Sequence, residues 1–135
     1  MPILFNKVKR GNPAKPQAPR KWYPVLKSTG LVREKQVAKL LADETTLNPK
    51  EAEFAIAQLQ KVVVNLLLSG NTVQLGDLGS FRVTVHAEGA ETKEAVTSKQ
   101  IKKLTVRFSE SEALKEGLEK ATFIAVDSIA TNRSR

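Results

Sequence analysis

The chain has no cysteine among its 135 residues and a single histidine, His86. Without thiols it can form neither disulfides nor cysteine metal sites, and one histidine cannot build a metal centre alone. The sequence also lacks a glycine-rich phosphate loop and a serine or cysteine nucleophile set beside a histidine. We therefore expect a non-enzymatic protein with no metal, no cofactor and no small-molecule substrate.

Long apolar runs and leader-like segments are also missing. No apolar run approaches the ~18 residues that a membrane span needs. Residues 1–30 show neither the apolar core nor the small-residue cleavage site of a signal peptide. These absences predict a soluble, intracellular protein with no membrane partner, and the lack of cysteine fits a reducing cytoplasm.

Acidic residues are scarce near the N-terminus. Residues 1–40 carry ten Lys or Arg against one acid, Glu34, which gives +9, whereas the other 95 residues carry 12 basic and 13 acidic residues, which gives −1. Such asymmetry indicates a polyanionic partner, most often nucleic acid. The alternative is a basic tail that only keeps the protein soluble.

The basic N-terminal segment divides into a strand and a connector. Residues 2–9 predict a short edge strand. Pro13, Pro16 and Pro19 follow at the three-residue spacing of a polyproline II helix and predict a stiff, extended linker, or else a ligand for a proline-binding domain. Trp22 and Tyr23 at its end could stack on nucleic-acid bases. We favour the alternative that they anchor the extension to the core.

Two helices are expected next. Apolar periodicity predicts the first over 33–44. Asn48 offers a side-chain cap, Pro49 suits the first turn, and the second helix should run to about Leu68. This second helix is apolar almost all round, so it must be covered on several sides. A small domain cannot easily cover it alone. We expect an obligate homodimer, rather than a monomeric core, with shared core residues Phe54, Val63, Leu66 and Leu67.

Three strands and a last helix complete the pattern. Alternation predicts strands at 72–76, 80–86 and 102–108. Their outward faces carry Arg82, Lys103 and Arg107 and no acid, so this polar face could meet phosphate. The segment 87–101 is long for a hairpin loop. A capping box from Ser109 to Glu112 predicts a helix over about 110–120, and ATFIAV, residues 121–126, could form another strand.

The stretch VQLGDLGSFRV, residues 73–83, resembles the strand–turn–strand of the HU/IHF family of bacterial histone-like DNA-binding proteins. The matching positions are Val73, Leu75, Gly79, Phe81 and Val83, with Leu78 where the family usually has phenylalanine. The block VRFSESEALKEGL is similar to the family's last segment through Phe108, Leu114 and Lys115. The resemblance spans about 31–120, and the basic extension looks like a larger HU-related subgroup, some of whose members are fused to other modules.

The resemblance implies an α+β fold. It would be an intertwined homodimer with a two-helix base, a three-stranded antiparallel saddle sheet, a protruding β-arm and a C-terminal helix. Domains would be a basic, proline-rich extension (1–30), an HU-like DNA-binding domain (31–120) and a C-terminal tail (121–135). Gly76 and Gly79 would turn the chain where larger residues clash, and Phe81 would plug the core.

The resemblance also implies non-enzymatic, largely sequence-independent binding to double-stranded DNA in the bacterial nucleoid of the cytoplasm, with DNA condensation. The expected DNA-binding residues are Arg82, Lys93, Lys99, Lys102, Lys103, Arg107, Lys7, Lys9, Arg10, Lys15, Arg20 and Lys21. The arm lacks the family's proline-containing tip and carries Glu88, Glu91 and Glu94, so wedge-driven kinking is not expected. The alternatives are a dimeric protein-interaction or assembly module with weakened DNA binding, and RNA binding.

Overall fold

The computed structural model describes residues 1–133, so residues 134–135 of the predicted tail lie outside the described residues. Two compact units are present: an N-terminal unit of 1–32 with the segment from 118 onward, and a central unit of 33–117. The helices and strands in chain order are β1 (Ile3–Arg10), β2 (Lys21–Lys27), α1 (Glu34–Glu44), α2 (Pro49–Leu68), β3 (Val73–Gln74), β4 (Gly79–Ala87), β5 (Ile101–Glu110), α3 (Glu112–Glu119), β6 (Phe123–Ala125) and α4 (Val126–Arg133).

The N-terminal unit is built on a three-stranded sheet in the order β2-β1-β6. β1 and β2 are antiparallel, and β6 pairs in parallel with the first part of β1, Ile3 to Phe5. The predicted strand at 2–9 is confirmed, but it is the central strand of this sheet and not an edge. The strand considered within residues 121–126 is also confirmed, and it supplies the third strand.

The predicted polyproline linker is wrong. Residues 11–20 form two successive turns, in which the N–H of Lys15 donates to the carbonyl of Asn12 and the N–H of Ala18 donates to the carbonyl of Lys15, both at 3.0 Å. The turns bring β2 back onto β1 over seven residue pairs. Pairing satisfies the backbone N–H and C=O groups that the two strands direct toward each other, which an isolated polyproline segment leaves to water.

The two helices of the central unit begin and end close to their predicted bounds. Arg33 precedes α1 without a side-chain cap. Asn48 caps α2, because its side-chain oxygen accepts the N–H of Glu51 at 2.8 Å, and Pro49 occupies the first turn. Gly70, with φ +85°, follows the end of α2 at Ser69. Local capping chemistry is therefore enough to locate the start of α2, whereas α1 is located by its apolar periodicity.

The second sheet has the order β3-β4-β5 and is antiparallel throughout. Phe81 pairs with Phe108, and their ring centroids are 5.0 Å apart. The last helix starts later than predicted because Ser109 pairs with Ser80 in the ladder. The capping residue is accordingly Ser111, whose hydroxyl oxygen accepts the N–H of Leu114 at 3.0 Å, and not Ser109.

The turn between β3 and β4 favours glycine at one position and requires it at another. Gly76 has φ +51° and Gly79 has φ +149°. A Cβ at Gly79 would lie 2.8 Å from the Phe108 ring and would also collide with the Ser109 carbonyl oxygen. Ser111 holds the same turn, since its N–H donates to Leu78 at 3.3 Å and its hydroxyl donates to the Asp77 carbonyl.

Little apolar surface is buried within one chain. The buried apolar residues among those described are Ala38, Ala52 and Val73, and Phe54 on α2 is 67% exposed. The accessible surface is 11821 Å². Two separate bodies of the sizes of these units would expose only about 8,400 Å² in compact monomeric proteins. One chain therefore leaves α2 and its surroundings largely uncovered.

Candidate nucleic-acid interface

The outward face of β4 and β5 concentrates positive charge. Arg82 pairs directly with Arg107 in the ladder, and His86 pairs with Lys103. Alternation leaves only serine and threonine at the other positions of this face, so no carboxylate neutralises these side chains locally. Like charges directly opposite each other destabilise a sheet. A bound anion would relieve that repulsion.

Lys102 lies where the regular pairing of β4 and β5 is interrupted between His86 and Ala87. Its ammonium nitrogen is 3.6 Å from a carboxylate oxygen of Glu88, and both side chains are at least half exposed. This predicted DNA contact is thus already engaged in an ion pair. Exposed pairs of this kind contribute ~0–1 kcal/mol, so the pair does not prevent Lys102 from meeting another anion.

The loop between β4 and β5, residues 88–100, carries the other two predicted arm cations, Lys93 and Lys99. Three glutamates accompany them, at positions 88, 91 and 94, so the loop has a net charge of −1. A short 3-10 turn at Ser98–Gln100 closes the loop, with Thr97 as its cap. The loop therefore presents cations among carboxylates rather than a continuous basic tip.

The β1–β2 hairpin brings together the six predicted cations of the extension, and all six are exposed. They are Lys7, Lys9, Arg10, Lys15, Arg20 and Lys21. Lys9 pairs with Trp22, and its ammonium lies 6.0 Å from the indole centroid, at the outer limit of a cation–π contact. These six cations therefore lie on one folded hairpin, whereas the sequence had predicted them along an extended linker.

Within one chain Trp22 and Tyr23 are exposed and are not packed into a core, in contrast to the expected anchoring role. Trp22 is 65% exposed and Tyr23 is 44% exposed. They are consecutive residues of the edge strand β2 and therefore point to opposite faces. An edge strand has a neighbour on one side only, which leaves both rings accessible to a ligand.

A concavity of about 340 Å³ lies at the loop end of this hairpin. Its lining includes three cations and no acid: Arg10, Asn12, Lys15, Ala18, Pro19, Lys21 and Tyr23. The sequence interpretation missed this site, because it depends on the turns at 12–18, which fold Lys15 back toward the two strands. The usable signal was the Asn-Pro pair at 12–13, which is typical of a turn.

The two units differ in net charge. Residues 1–32 carry seven Lys or Arg and no acid, and residues 118–135 carry three basic and two acidic residues, so the N-terminal unit totals +8. Residues 33–117 carry 12 of each sign, which totals zero. The whole positive surplus of the protein therefore belongs to the N-terminal unit.

Within residues 1–133, no helix is long and apolar enough to cross a membrane. In the same part of the chain, no group of three or more histidine, cysteine, aspartate or glutamate side chains could hold a metal ion.

Two helices, an antiparallel three-stranded sheet and a following helix define an HU-like domain. The chain is similar to HU from Anabaena in an HU–DNA cocrystal structure, with 16% identity over 66% of this chain and 99% of HU, and a TM-score of 0.52. A family model described as an HU domain fused to wHTH, Ig, or glycine-rich motif matches residues 1–125. The chain belongs to this family, and the predicted HU relationship is confirmed.

A second solved structure covers the N-terminal unit as well. It is a candidate bacterial DNA-binding protein from Bacteroides vulgatus ATCC 8482, 13% identical over 92% of this chain, with a TM-score of 0.65. The present chain spans 48% of that protein, about half its length. No curated protein matches the chain. At these identities the likeness concerns the fold.

Proposed function

We propose that this protein binds double-stranded DNA without enzymatic activity and with little sequence preference, as a histone-like protein of the bacterial nucleoid in the cytoplasm. The observation that carries the proposal is the outward face of β4 and β5, where Arg82, Lys103 and Arg107 lie with no carboxylate on the same face. Membership of the HU family supports it. Condensation of DNA would follow from neutralising its phosphates.

The mechanism is phosphate neutralisation combined with recognition of duplex shape. Each phosphate neutralised by a lysine or arginine releases condensed counterions, so affinity falls steeply with salt. In this proposal the outward face of β4 and β5 lies under the duplex. Lys93 and Lys99 approach from the β4–β5 loops of the dimer, and Lys102 approaches from the adjoining end of β5. The β1–β2 hairpin adds flanking contacts. Kinking by an inserted proline is not part of the mechanism, because the loop contains none.

A second copy of the chain is the partner that would cover α2. The groove between α2 and the β4–β5 sheet has a volume of about 160 Å³ and an apolar lining of Val64, Leu67, Leu68, Val83, Leu104 and Val106. The surface excess described above, about 3,400 Å², is far larger than the roughly 800 Å² per partner of a standard interface. An intertwined homodimer, with DNA on a saddle above paired helices, fits that excess.

The dimer is tested by Leu67→Asp. An unpartnered carboxylate in a shared core is strongly unfavourable, so sedimentation and circular dichroism should show loss of dimer and of folded structure together. Lys61→Asp, on an exposed position of the same helix, is the control and should stay dimeric. A folded, monomeric wild-type protein at micromolar concentration would contradict the homodimer.

DNA binding is tested by titrating a labelled random duplex at several salt concentrations. Arg82→Gln with Arg107→Gln should flatten the slope of log K against log salt by about 2 for each chain of the dimer that contacts the duplex, since each phosphate contact contributes about 0.9. Lys35→Gln with Lys39→Gln removes equal charge from α1 and should leave the slope nearly unchanged. Equal losses in both variants would show that net charge, and not this face, governs binding.

A dimeric protein-interaction or assembly module is the second candidate function. The zero net charge of the central unit favours it, together with the glutamates of the β4–β5 loop. The same titration separates the two candidates. A stable dimer that does not bind duplex or RNA at low salt would support the assembly module and exclude the first proposal.

A further inference from the structure

We propose that the loop end of the β1–β2 hairpin is a phosphate-binding site, and that it holds a phosphate of the DNA backbone between Arg10, Lys15 and Lys21. The choice of DNA rests on the proposed function. The site itself rests on the concavity of about 340 Å³ that these residues line with Tyr23. That volume lies at the small end of the ~300–1,000 Å³ range of ligand pockets.

Strand register places the polar groups of this site on one face. Arg10 and Lys21 are direct partners in the antiparallel ladder. The Cβ atoms of such partners are about 5 Å apart, and both side chains leave the same face. Tyr23 follows Lys21 by two residues and therefore shares that face. A guanidinium, an ammonium and a phenol hydroxyl thus converge, and each of them can donate hydrogen bonds to phosphate oxygens.

The loop that carries the third cation has a defined conformation. The side-chain oxygen of Asn12 accepts the N–H of Ala14 at 2.9 Å. The two backbone turns described above hold Lys15 between Asn12 and Ala18, and the two prolines between these residues restrict the intervening dihedral angles. A loop ordered before binding loses less conformational entropy when a ligand arrives. The loop therefore holds Lys15 in position before the ligand binds.

Electrostatics in this hairpin favour an anion strongly. Residues 1–33 contain no aspartate or glutamate. The ion pairs Lys102–Glu88 and Lys115–Glu112 both lie outside the hairpin. Arg10 and Lys21 therefore repel each other across the ladder without a local counter-charge. The forked guanidinium of arginine matches phosphate in a bidentate geometry, so Arg10 is the expected principal contact.

The hairpin has the form of a ribbon at this end. β6 pairs only with Ile3, Leu4 and Phe5, so from Asn6 onward β1 has a strand partner on the β2 side alone. A two-stranded ribbon is one of the elements that the DNA major groove admits. The arrangement lets the loop end approach a duplex while its cations face the backbone.

The test compares two double variants of the 135-residue chain that lose equal charge from the same unit. Lys15→Gln with Lys21→Gln should weaken binding to a random duplex about tenfold at 0.1 M salt and flatten the salt slope by about 1. Lys27→Gln with Lys120→Gln, outside the pocket, should change affinity less than about twofold. Equal weakening by both pairs would overturn the site, because net charge alone would then explain it.

Single variants sharpen the assignment of Arg10. Arg10→Lys keeps the charge but loses the fork, so it should weaken binding several-fold with little change in salt slope. Arg10→Gln should weaken binding further and flatten the slope. Full affinity in Arg10→Lys and Arg10→Gln together would overturn the proposed contact. Circular dichroism and amide NMR spectra of each variant check that the hairpin remains folded.

Inorganic phosphate separates failure of the site from failure of the proposed function. If wild-type protein does not bind DNA, the DNA-binding proposal fails, and the pocket is judged from amide NMR shifts during a phosphate titration. Saturable shifts at Lys15, Ala18 and Tyr23 that disappear in the Lys15→Gln, Lys21→Gln variant would support a phosphate site. Their absence in the wild-type protein would overturn it. Chloride at equal ionic strength is the reference titration.

Discussion

The β1–β2 and β4–β5 hairpins are both antiparallel, but they differ in net charge and in how tightly they are packed. Residues 3–27 carry seven cations and no acid, whereas residues 79–110 carry six cations and four acids. The second hairpin instead contains the close contact between Gly79 and the Phe108 ring. The comparison indicates that the tight packing of the HU-like domain and the surplus positive charge of the protein lie in different parts of the chain.

The largest loss of stability is expected from a substitution at Gly79. Gly79→Ala places a Cβ against the Phe108 ring and the Ser109 carbonyl, at a φ of +149°. Backbone strain and overpacking each cost about 1–3 kcal/mol, so the variant should lose about 2–6 kcal/mol of unfolding free energy. Chemical denaturation followed by circular dichroism measures the loss.

Gly11→Ala is the matched control in the other hairpin. A Cβ at Gly11 would meet the Arg20 side chain at 3.7 Å, an ordinary contact, and its φ is not in the positive region. We expect a change within about 0.5 kcal/mol. Equal destabilisation by the two alanines would show that the β3–β4 turn is not specially constrained.

Sequence reasoning recovered the central unit well because its signals are local. The cap at Asn48, the proline at position 49 and the alternation of the strands each report on a few neighbouring residues, and all appear in the structure. The HU-like turn around Gly79 is local in the same sense. Its role against Phe108 follows from pairing between β4 and β5, which the alternation had already suggested.

The N-terminal unit was predicted less well because its structure depends on distant pairing. The third strand, Phe123–Ala125, is more than a hundred residues away from β1 in the chain. Proline spacing suggested an extended linker, but the turns at Asn12 and Lys15 override it once β2 pairs with β1. The cations were recognised as a group from composition, whereas their convergence around a concavity could not be read from spacing along the chain.

A smaller effect, on duplex affinity, is expected from neutralising the glutamates of the β4–β5 loop. Replacing Glu88, Glu91 and Glu94 by glutamine would change the β4–β5 loop from −1 to +2 and release Lys102 from its ion pair. Duplex affinity at 0.1 M salt should rise about three- to tenfold, with a steeper salt slope, because cations near phosphate no longer have local counter-charges. Fluorescence anisotropy with a labelled duplex measures both quantities.

The control for that variant neutralises three acids on the helices of the central unit: Asp43→Asn, Glu44→Gln and Glu53→Gln. It changes net charge by the same amount at positions outside the proposed interface. We expect a rise of less than about twofold. If the helix variant gains as much duplex affinity as the loop variant, the loop makes no specific contribution to DNA binding. Affinity would then depend on total charge alone.

Trp22, the single tryptophan of the chain, can report on the β1–β2 hairpin through its fluorescence, and replacing it should have the smallest effect on binding. Trp22 is 65% exposed and lies beside Lys9. Duplex DNA bound at this hairpin should change its solvent exposure and shift its emission, while a change of the β4–β5 loop should leave that shift intact. Trp22→Phe should weaken binding only about two- to threefold, because a ring remains and the neighbouring cations are unchanged. Binding that leaves Trp22 emission constant would place the duplex away from the hairpin and reverse the division of roles proposed for the two hairpins.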